Sequence, residues 1–400
     1  MLKRTRSFLV LVMLLMTVTM SAQVTTATMS GKVTAQDEPI IGATIVAIHE
    51  PSGTRYGTVT NVSGQFNLQG MRTGGPYKVE ISYVGYQTAI YKGINLLLGE
   101  NYVLNVSLKE SSELLDEVVV TASKESNMKS DRAGAIMNAN RDMISNTPTI
   151  SRSISDIMRL SPQGADVGNG FAVGGGNYRQ SFVTVDGAAF NNTFGLGGNL
   201  PANGSPISLD ALEQVTVAVT PFDVRQSGFT GGAINAVTRS GDNQFRGTAY
   251  MYFNNENLKG SKVDDYELLR SKAQYYTYGA SFGGPIIKDK LFFFVNGEYE
   301  DNVTAGSNYR PRTALGESYS GGNIHRPLQS DMDDMRGFLL NKYNFDPGKY
   351  NDYSTDTPAY RVMARVDWNA NQNNKVSFRF TKTHTKDSNF PTSSVSPLST

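Results

Sequence analysis

Hydrophobic and polar residues alternate with a period of two along most of the chain, and this pattern predicts a mainly β protein. In residues 77–83, Val79 and Ile81 alternate with Lys78 and Glu80. One apolar face of this kind is typical of strands that cover a core on one side. Seven such runs follow one another in residues 28–110, around Lys32, Ile45, Thr58, Phe66, Ile81, Thr88 and Leu104. They predict an Ig-like or prealbumin-like β-sandwich.

The pattern changes in residues 125–241, where short apolar runs lie between glycine-rich stretches. Ile150, Ile154 and Ile157 have helical spacing before Pro162, which predicts a short helix. In total the pattern predicts two short helices and three strands, at 151–160, 208–214, 181–185, 215–219 and 233–238. The glycine clusters match neither a dinucleotide fingerprint nor a phosphate loop, so we expect turns there. This region is therefore predicted to be an α+β domain.

Long alternating runs begin after residue 242, at 245–254, 276–282, 291–299, 360–368 and 376–380. One face of each run has no charged residue, whereas the opposite faces carry Arg246, Glu298, Arg361, Arg365, Asp367 and Arg379. A lipid-facing band explains this contrast, because a charge at the bilayer midplane costs about 2–4 kcal/mol. A soluble sandwich also has one uncharged face. The run lengths, the aromatic residues at strand ends and the unequal loops favour the first strands of a transmembrane antiparallel β-barrel.

The first 22 residues have the order of a secretory signal peptide. Lys3, Arg4 and Arg6 precede an apolar run over 8–18, and small residues end the segment at Ala22. The apolar run is about half of the ~20 residues that a membrane-spanning helix needs. We therefore expect export with cleavage rather than a permanent helical anchor.

Composition narrows the classes of function. The chain has 37 Lys and Arg against 36 Asp and Glu, a net charge of +1, which argues against a nucleic-acid partner. It has no cysteine, and its three histidines, at 49, 325 and 384, have no metal-ligand spacing. No nucleophile, base and orienting group form a recognisable set. We expect no metal, no cofactor and no enzymatic activity.

Several motifs resemble one family of outer-membrane proteins. Residues 115–122 (LDEVVVTA) resemble the TonB box of TonB-dependent receptors of the Bacteroidetes, which lies between an accessory domain and the plug. Four earlier stretches are similar to the carboxypeptidase-regulatory-like sandwich of such receptors: GKV at 31–33, PIIGATI at 39–45, NVSGQFNL at 61–68 and YKVEISYVGY at 77–86. Five later stretches resemble the plug and first strands of the Oar-like branch: FVTVDG at 182–187, SLDALEQVTV at 208–217, PFDVRQSGFTGG at 221–232, INAVTRSG at 234–241 and FGGPIIKDKLFFFV at 282–295.

The resemblance implies a domain order and a function. The order is signal peptide 1–22, sandwich 28–110, TonB box and linker 111–124, plug 125–241 and the N-terminal part of the barrel 242–400. The implied function is uptake of a large nutrient, such as a glycan, peptide or chelate, by displacement of the plug. The barrel would lie in outer-membrane lipid of a Gram-negative bacterium, with the sandwich in the periplasm.

TonB, with its inner-membrane energising complex, is the partner that the resemblance implies. It would bind Asp116, Glu117, Val118, Val119, Val120, Thr121 and Ala122. A gripped segment needs a β-prone backbone that can add to a partner's sheet edge, and its valines and threonine are β-branched. Polar residues at 111–112 and 124–130 flank the segment, and we expect them to keep it free in solution.

Two features lead to other interpretations: a departure from the family pattern and the number of residues available for the barrel. The helix at 153–162 lacks the LQGKVAGV-like run of a SusC-type receptor, which argues against a SusD-type lipoprotein partner. Five strands cannot close around a plug, so we expect the N-terminal part of a longer receptor or a truncated gene product, inactive in transport by itself. The alternative is a secreted or surface-attached adhesin or binding protein. No motif identifies a substrate, although the aromatic and Asn-rich loops at 177–206 and 301–357 are candidate contacts.

Overall fold

The computed structural model describes most of the chain after the predicted signal peptide, which lies outside the described residues. The described residues are 25–110, 118–121, 136–149, 152–167, 170–191, 200, 205–219, 231–258, 260, 262–264, 266–267, 272–305, 310–318, 324–350, 354–371 and 374–386. The chain divides into two compact units. The first consists of Met1–Gly247, Ser281–Asn296 and Met363–Thr381, and the second of Thr248–Ala280, Gly297–Val362 and Lys382–Thr400.

The first unit begins with the predicted β-sandwich. Its strands are β1 (Ala27–Ala35), β2 (Glu38–Pro39), β3 (Thr44–His49), β4 (Thr54–Val59), β5 (Gln65–Met71), β6 (Gly74–Ser82), β7 (Ala89–Leu96), β8 (Asn101–Val103) and β9 (Val106–Ser107), followed by β10 (Val118–Thr121). One sheet has the order β2-β1-β5, with β8 and β9 also paired to β1, and the other has the order β10-β7-β6-β3-β4. The sequence prediction of this domain is confirmed, because all seven runs lie in these strands or beside them.

Alternation along the strands places the sandwich core between its two sheets. Met29 and Val33 on β1 are fully buried, as are Ile45 on β3 and Tyr77 and Ile81 on β6. Each apolar side chain removed from water in this way contributes about 1.5–3 kcal/mol. The intervening positions are exposed or half-buried, so the period of two in the sequence follows directly from this packing.

The next part of the first unit is an α+β domain around a five-stranded sheet. Its strands are β11 (Ile136–Ala139), β12 (Gly164–Asp166), β13 (Phe171–Val173), β14 (Phe182–Val185), β15 (Ala188–Ala189), β16 (Leu212–Ala218) and β17 (Ala233–Thr238). The sheet order is β11-β16-β17-β14-β15, and β12 pairs with β13. Helices cover Arg141–Asn146 and Ile154–Met158, with 3-10 turns at Tyr178–Gln180 and Leu209–Ala211.

The predicted class of this domain is confirmed, whereas the strands β11, β12, β13 and β15 and two helical elements differ from the prediction. A single 3-10 turn replaces the helix expected at 208–214, because β16 already begins at Leu212, whose Cα partner is Thr238 of β17. Pairing with β17 thus outweighs the local helical preference. The helix Arg141–Asn146 was not predicted; it begins after Asn140, whose side chain accepts a hydrogen bond from the Met143 amide.

All five long runs are strands of one open sheet, here called the wall sheet. They are β18 (Arg246–Asn255), β21 (Gln274–Ile287), β22 (Leu291–Ala305), β26 (Ala359–Asn369) and β27 (Lys375–Thr385), in the order β18-β21-β22-β26-β27. Short pairs accompany it: β19 (Lys262–Val263) with β20 (Tyr266–Glu267), β23 (Arg310–Arg312) with β24 (Ile324–Leu328), and β25 (Ser354–Asp356) with β22. Strands β21 and β22 are 14 and 15 residues long, longer than predicted.

The two faces of the wall strands β22 and β26 differ as the sequence predicts, and the uncharged faces of all five strands are exposed or half-buried. Large apolar residues of the uncharged faces are exposed: Phe245, Met251, Phe253, Tyr278, Phe282, Val295, Tyr299, Tyr360, Val362, Trp368, Val376, Phe378 and Phe380. In contrast, Glu298, Glu300, Arg361 and Arg365 of the opposite faces are buried. An ordinary soluble protein buries the apolar face and hydrates the charged one. The wall strands have the opposite arrangement, with the apolar face outside and the charges inside, which is typical of strands that contact lipid.

Buried charge is paired within the second unit. The Arg361 guanidinium lies 2.9 Å from Glu298 Oε1 and 2.7 Å from Glu300 Oε2. The Tyr250 hydroxyl donates a 2.5 Å hydrogen bond to the other oxygen of Glu298. These contacts join three wall strands, and they satisfy charges that would otherwise be costly to bury.

The second unit also contains a helix where a polar loop was expected. Residues Gln329–Tyr343 form a 15-residue helix with no buried residue, and Asn344 ends it with a left-handed φ of 51°. The prediction of a continuous loop over 301–357 was wrong here; Met332, Met335 and Leu339 have helical spacing in the sequence, but the helix buries none of them. None of the helices in the described ranges is long and apolar enough to cross a bilayer.

Candidate functional site

The candidate TonB box is a strand of the sandwich rather than an isolated segment. Its central residues Val118–Thr121 form β10, which pairs in parallel with β7. The registered Cα partners run from Val118 and Ala89 to Thr121 and Lys92. Asp116, Glu117 and Ala122 lie outside the described residues. The expectation that the segment is free in solution is therefore wrong for its central four residues.

Strand β10 lies at the end of its sheet. The order β10-β7-β6-β3-β4 places β7 between β10 and β6, and no other strand in the described part of the chain pairs with β10. A strand bonds to its two neighbours through alternate residues, so a terminal strand keeps half of its backbone groups directed away from the sheet. β10 is thus held extended by one edge, and its other edge has no strand partner among the described residues.

The α+β domain packs its core on the inward face of the wall sheet. Phe294 of β22 and Met363 of β26 belong to the same buried cluster as Ile154, Val215 and Ile234 of that domain. In addition, the Arg239 guanidinium lies 4.8 Å from the centre of the Phe294 ring, within cation-π range. The domain occupies the position of a plug against these strands.

A polar contact also joins the plug to the wall sheet. Asp186, in the turn after β14, accepts hydrogen bonds from the amide and hydroxyl groups of Thr238. Its carboxylate faces two wall arginines, with Arg379 Nε at 3.4 Å and Arg365 Nη1 at 4.0 Å. Arg365 in turn forms a bidentate pair with Asp367, at 2.7 and 3.1 Å. The Arg365–Asp367 pair consists of charge-assisted hydrogen bonds, which are stronger than neutral ones because both partners are ionised, whereas Asp186 attracts Arg379 and Arg365 as longer-range ion pairs.

The sandwich contacts the turns of the wall sheet through its β3–β4 loop. The Asn243 amide donates to the Pro51 carbonyl at 2.9 Å, and the Asn369 side chain donates to Thr54 Oγ1 at 3.0 Å. Gly53 has a left-handed φ of 63°, and a Cβ there would lie 2.1 Å from Asp289 Oδ1. This position therefore favours glycine for its backbone conformation, and a side chain there would also have to displace the Asp289 carboxylate.

A buried histidine lies behind this loop. His49 Nδ1 is 2.7 Å from Ser52 Oγ, which is 2.7 Å from Thr54 Oγ1. Burial, and to a smaller extent the charge of Arg72, lower the pKa of His49 from 6.5 to about 3. A neutral imidazole therefore completes the hydrogen-bonded chain that ends on the wall at Asn369.

One cavity of about 340 Å³ lies among the sandwich, the plug and the first wall strands. Charged residues of both signs line it: Arg72, Arg141, Arg239, Arg246, Asp142, Glu213 and Asp242. This mixture gives the cavity no clear preference for an anion or a cation. Within the described ranges no group of three or more His, Asp or Glu side chains could hold a metal ion.

Sequence reasoning identified only part of this arrangement. It placed Arg365, Asp367 and Arg379 on the charged face of the wall strands and included Asp186 in the stretch 182–187 that resembles a plug, but it did not connect them. It also missed the pairing of β10 with β7. Pairing between residues distant in sequence has no local signature, since only the folded topology brings the partners together.

The comparisons with known proteins agree with this architecture. The family described as carboxypeptidase regulatory-like domain matches residues 28–109, and the outer membrane beta barrel domain matches residues 237–333. The chain is 27% identical over 256 residues to the TonB-dependent transporter Oar of Myxococcus xanthus, covering 62% of this chain and 22% of Oar. It is 29% identical over 269 residues to the TonB-dependent receptor SusC of Bacteroides thetaiotaomicron, covering 64% of this chain and 24% of SusC.

The chain thus spans about a quarter of the length of these curated relatives. Among solved structures, the siderophore receptor PirA of Acinetobacter baumannii is similar with a TM-score of 0.43 and 16% identity, covering 63% of this chain and 31% of PirA. The ferric citrate transporter FecA in its unliganded form has a TM-score of 0.37 and 15% identity, covering 64% of this chain and 40% of FecA.

Proposed function

The chain is a relative of the TonB-dependent receptors of the outer membrane, and we propose that it takes part in TonB-dependent uptake of a large nutrient. A glycan, a peptide and a chelate are the substrate classes that fit a plugged barrel. In this proposal 28–110 is the periplasmic accessory sandwich, 111–124 contains the TonB box, 125–241 is the plug, and 242–400 contributes barrel strands. The relatives found are transporters and receptors, and both they and the barrel-domain match support an outer-membrane location.

One observation carries the proposal. The inward face of the wall sheet shares a core with the α+β domain through Phe294 and Met363, whereas its outward face exposes large apolar residues such as Phe378. A soluble binding protein would expose so much apolar surface only at a cost in solubility. A plug inside a lipid-embedded wall accounts for both faces.

The mechanism requires that a force reach the plug. The outer membrane has no ATP, so TonB would bind the box from the periplasm and pull the chain that leads into the plug. The plug would have to leave its wall contacts, including those of Asp186 with Arg365 and Arg379. The polar nature of these contacts suits reversible release, since water can replace each partner as the contact opens.

A capture experiment tests the TonB partnership directly. A peptide spanning residues 114–123 should bind the periplasmic domain of TonB through backbone pairing. Replacing Val119 with proline removes an N–H from the strand and should abolish capture. Undiminished capture of the Val119→Pro peptide, or no capture of the unchanged peptide, would contradict the assignment of the box.

A further inference from the structure

The strand β10 raises the question of how one segment can serve both the sandwich and TonB. Its four residues are registered with Ala89, Ile90, Tyr91 and Lys92 of β7. If β10 left, β7 would become the terminal strand of its sheet, with a row of unpaired backbone groups. The pairing with β7 therefore favours retention of β10 in the sandwich, because it keeps these backbone groups bonded.

Retention does not block a second partner. Addition of a strand to a sheet uses only one edge of the strand that is added to. β7 occupies one edge of β10, and no further strand in the described part of the chain occupies the other. The backbone of residues 118–121 is also already fixed in an extended conformation, so a partner at the outer edge would not have to order it.

We propose that the sandwich presents the box to TonB, with β10 remaining on β7 while an extended strand of the TonB periplasmic domain adds to the outer edge of β10. The inference rests on the proposed function, because it assumes that TonB is the partner. It goes further in assigning the accessory sandwich a role in the interaction. The product is one continuous sheet in which β10 lies between β7 and the TonB strand.

A reversible disulfide tests the proposal in the full chain. The chain has no cysteine, so Lys92→Cys and Thr121→Cys introduce the only two thiols. These positions are registered Cα partners, and neighbouring strands lie about 4.8 Å apart, within the Cα separations that a disulfide spans. The detergent-solubilised double variant is oxidised, and its affinity for the TonB periplasmic domain is measured before and after reduction. The single variant Thr121→Cys is the control for the substitution itself.

We expect the disulfide to form and the oxidised and reduced proteins to bind TonB with affinities within about threefold of each other. We also expect the full chain to bind at least tenfold more tightly than the peptide 114–123, because the peptide must be ordered on binding. Failure of the disulfide to form, loss of binding on oxidation with recovery on reduction, or equal affinity of peptide and full chain would each overturn the presentation role. If neither the reduced protein nor the peptide binds TonB, the proposed function itself fails.

Discussion

Acidification should destabilise the chain through His49, and the size of the effect follows from its environment. The imidazole is buried and has its pKa lowered to about 3, whereas an unfolded chain titrates it near 6.5. Between these values the unfolded state binds the extra proton, so stability is complete above pH 6.5 and falls as the pH decreases toward 3. The slope approaches about 1.4 kcal/mol per pH unit, which gives a loss of about 2 kcal/mol at pH 5.

Thermal unfolding of the detergent-solubilised full chain at pH 7.5 and pH 5 measures this loss. Because other groups also titrate, the comparison is with His49→Asn, which cannot be protonated. At about 2–4 °C per kcal/mol, the fall in Tm between the two pH values should be about 4–8 °C larger for the unchanged protein than for the variant. Equal falls in Tm for both proteins would refute the conclusion that His49 is buried as a neutral base.

Three further substitutions test other contacts. Arg361→Met should destabilise the second unit by about 3–5 kcal/mol, because it leaves Glu298 and Glu300 buried without their cation, and denaturant unfolding of the detergent-solubilised chain measures this. Asp186→Asn keeps a residue that tolerates the φ of 50° but removes the charge facing Arg365 and Arg379, so we expect a loss of about 1–3 kcal/mol in the same assay. Gly53→Ala should cost about 1–2 kcal/mol from its left-handed backbone alone, and faster proteolysis of the β3–β4 loop should report the loosened contact with Asp289.

Each substitution has a matched control. Arg336→Met removes a solvent-exposed pair with Asp346 and should leave the stability nearly unchanged. Asp37→Asn changes an exposed aspartate with a similar φ of 69°. Gly260→Ala adds a Cβ that meets no atom within 4 Å. If a control variant loses as much stability as the substitution it is matched to, the contact tested by that substitution has no specific role.

The wall strands and the sandwich strands could be predicted because the environment on each face of a strand selects its side chains. The result is an alternation of apolar and polar residues along the sequence. The two faces of each strand have different environments. Trp368 therefore indicates the outward, exposed face and Arg365 the inward, buried face. The same logic located β6 and β3 in the sandwich. Their ends were less certain, and β21 and β22 extend several residues beyond the apolar runs because ladder bonds continue where the side-chain pattern fades.

The remaining elements depend on tertiary partners or have no buried apolar face. Pairing with β17 draws Leu212 into β16, although the preceding residues favour a helix. The helix Gln329–Tyr343 buries none of its apolar residues, so no core-facing stripe distinguishes it from the polar sequence around it. The candidate site follows the same division: the β-branched run at 118–121 predicts a strand, whereas its pairing with β7 and the contacts of Asp186 depend on residues far apart in sequence.

Fluorescence of the single tryptophan tests the central claim, that the outward face of the wall sheet contacts lipid. Trp368 is on that face and 50% exposed, and the chain has no other tryptophan. The protein is reconstituted in bilayers whose acyl chains carry bromine near the headgroup, and a water-soluble quencher is tested separately. We predict strong quenching of Trp368 by the brominated lipid and weak quenching from water. Quenching from water alone, with none from the brominated chains, would contradict the account.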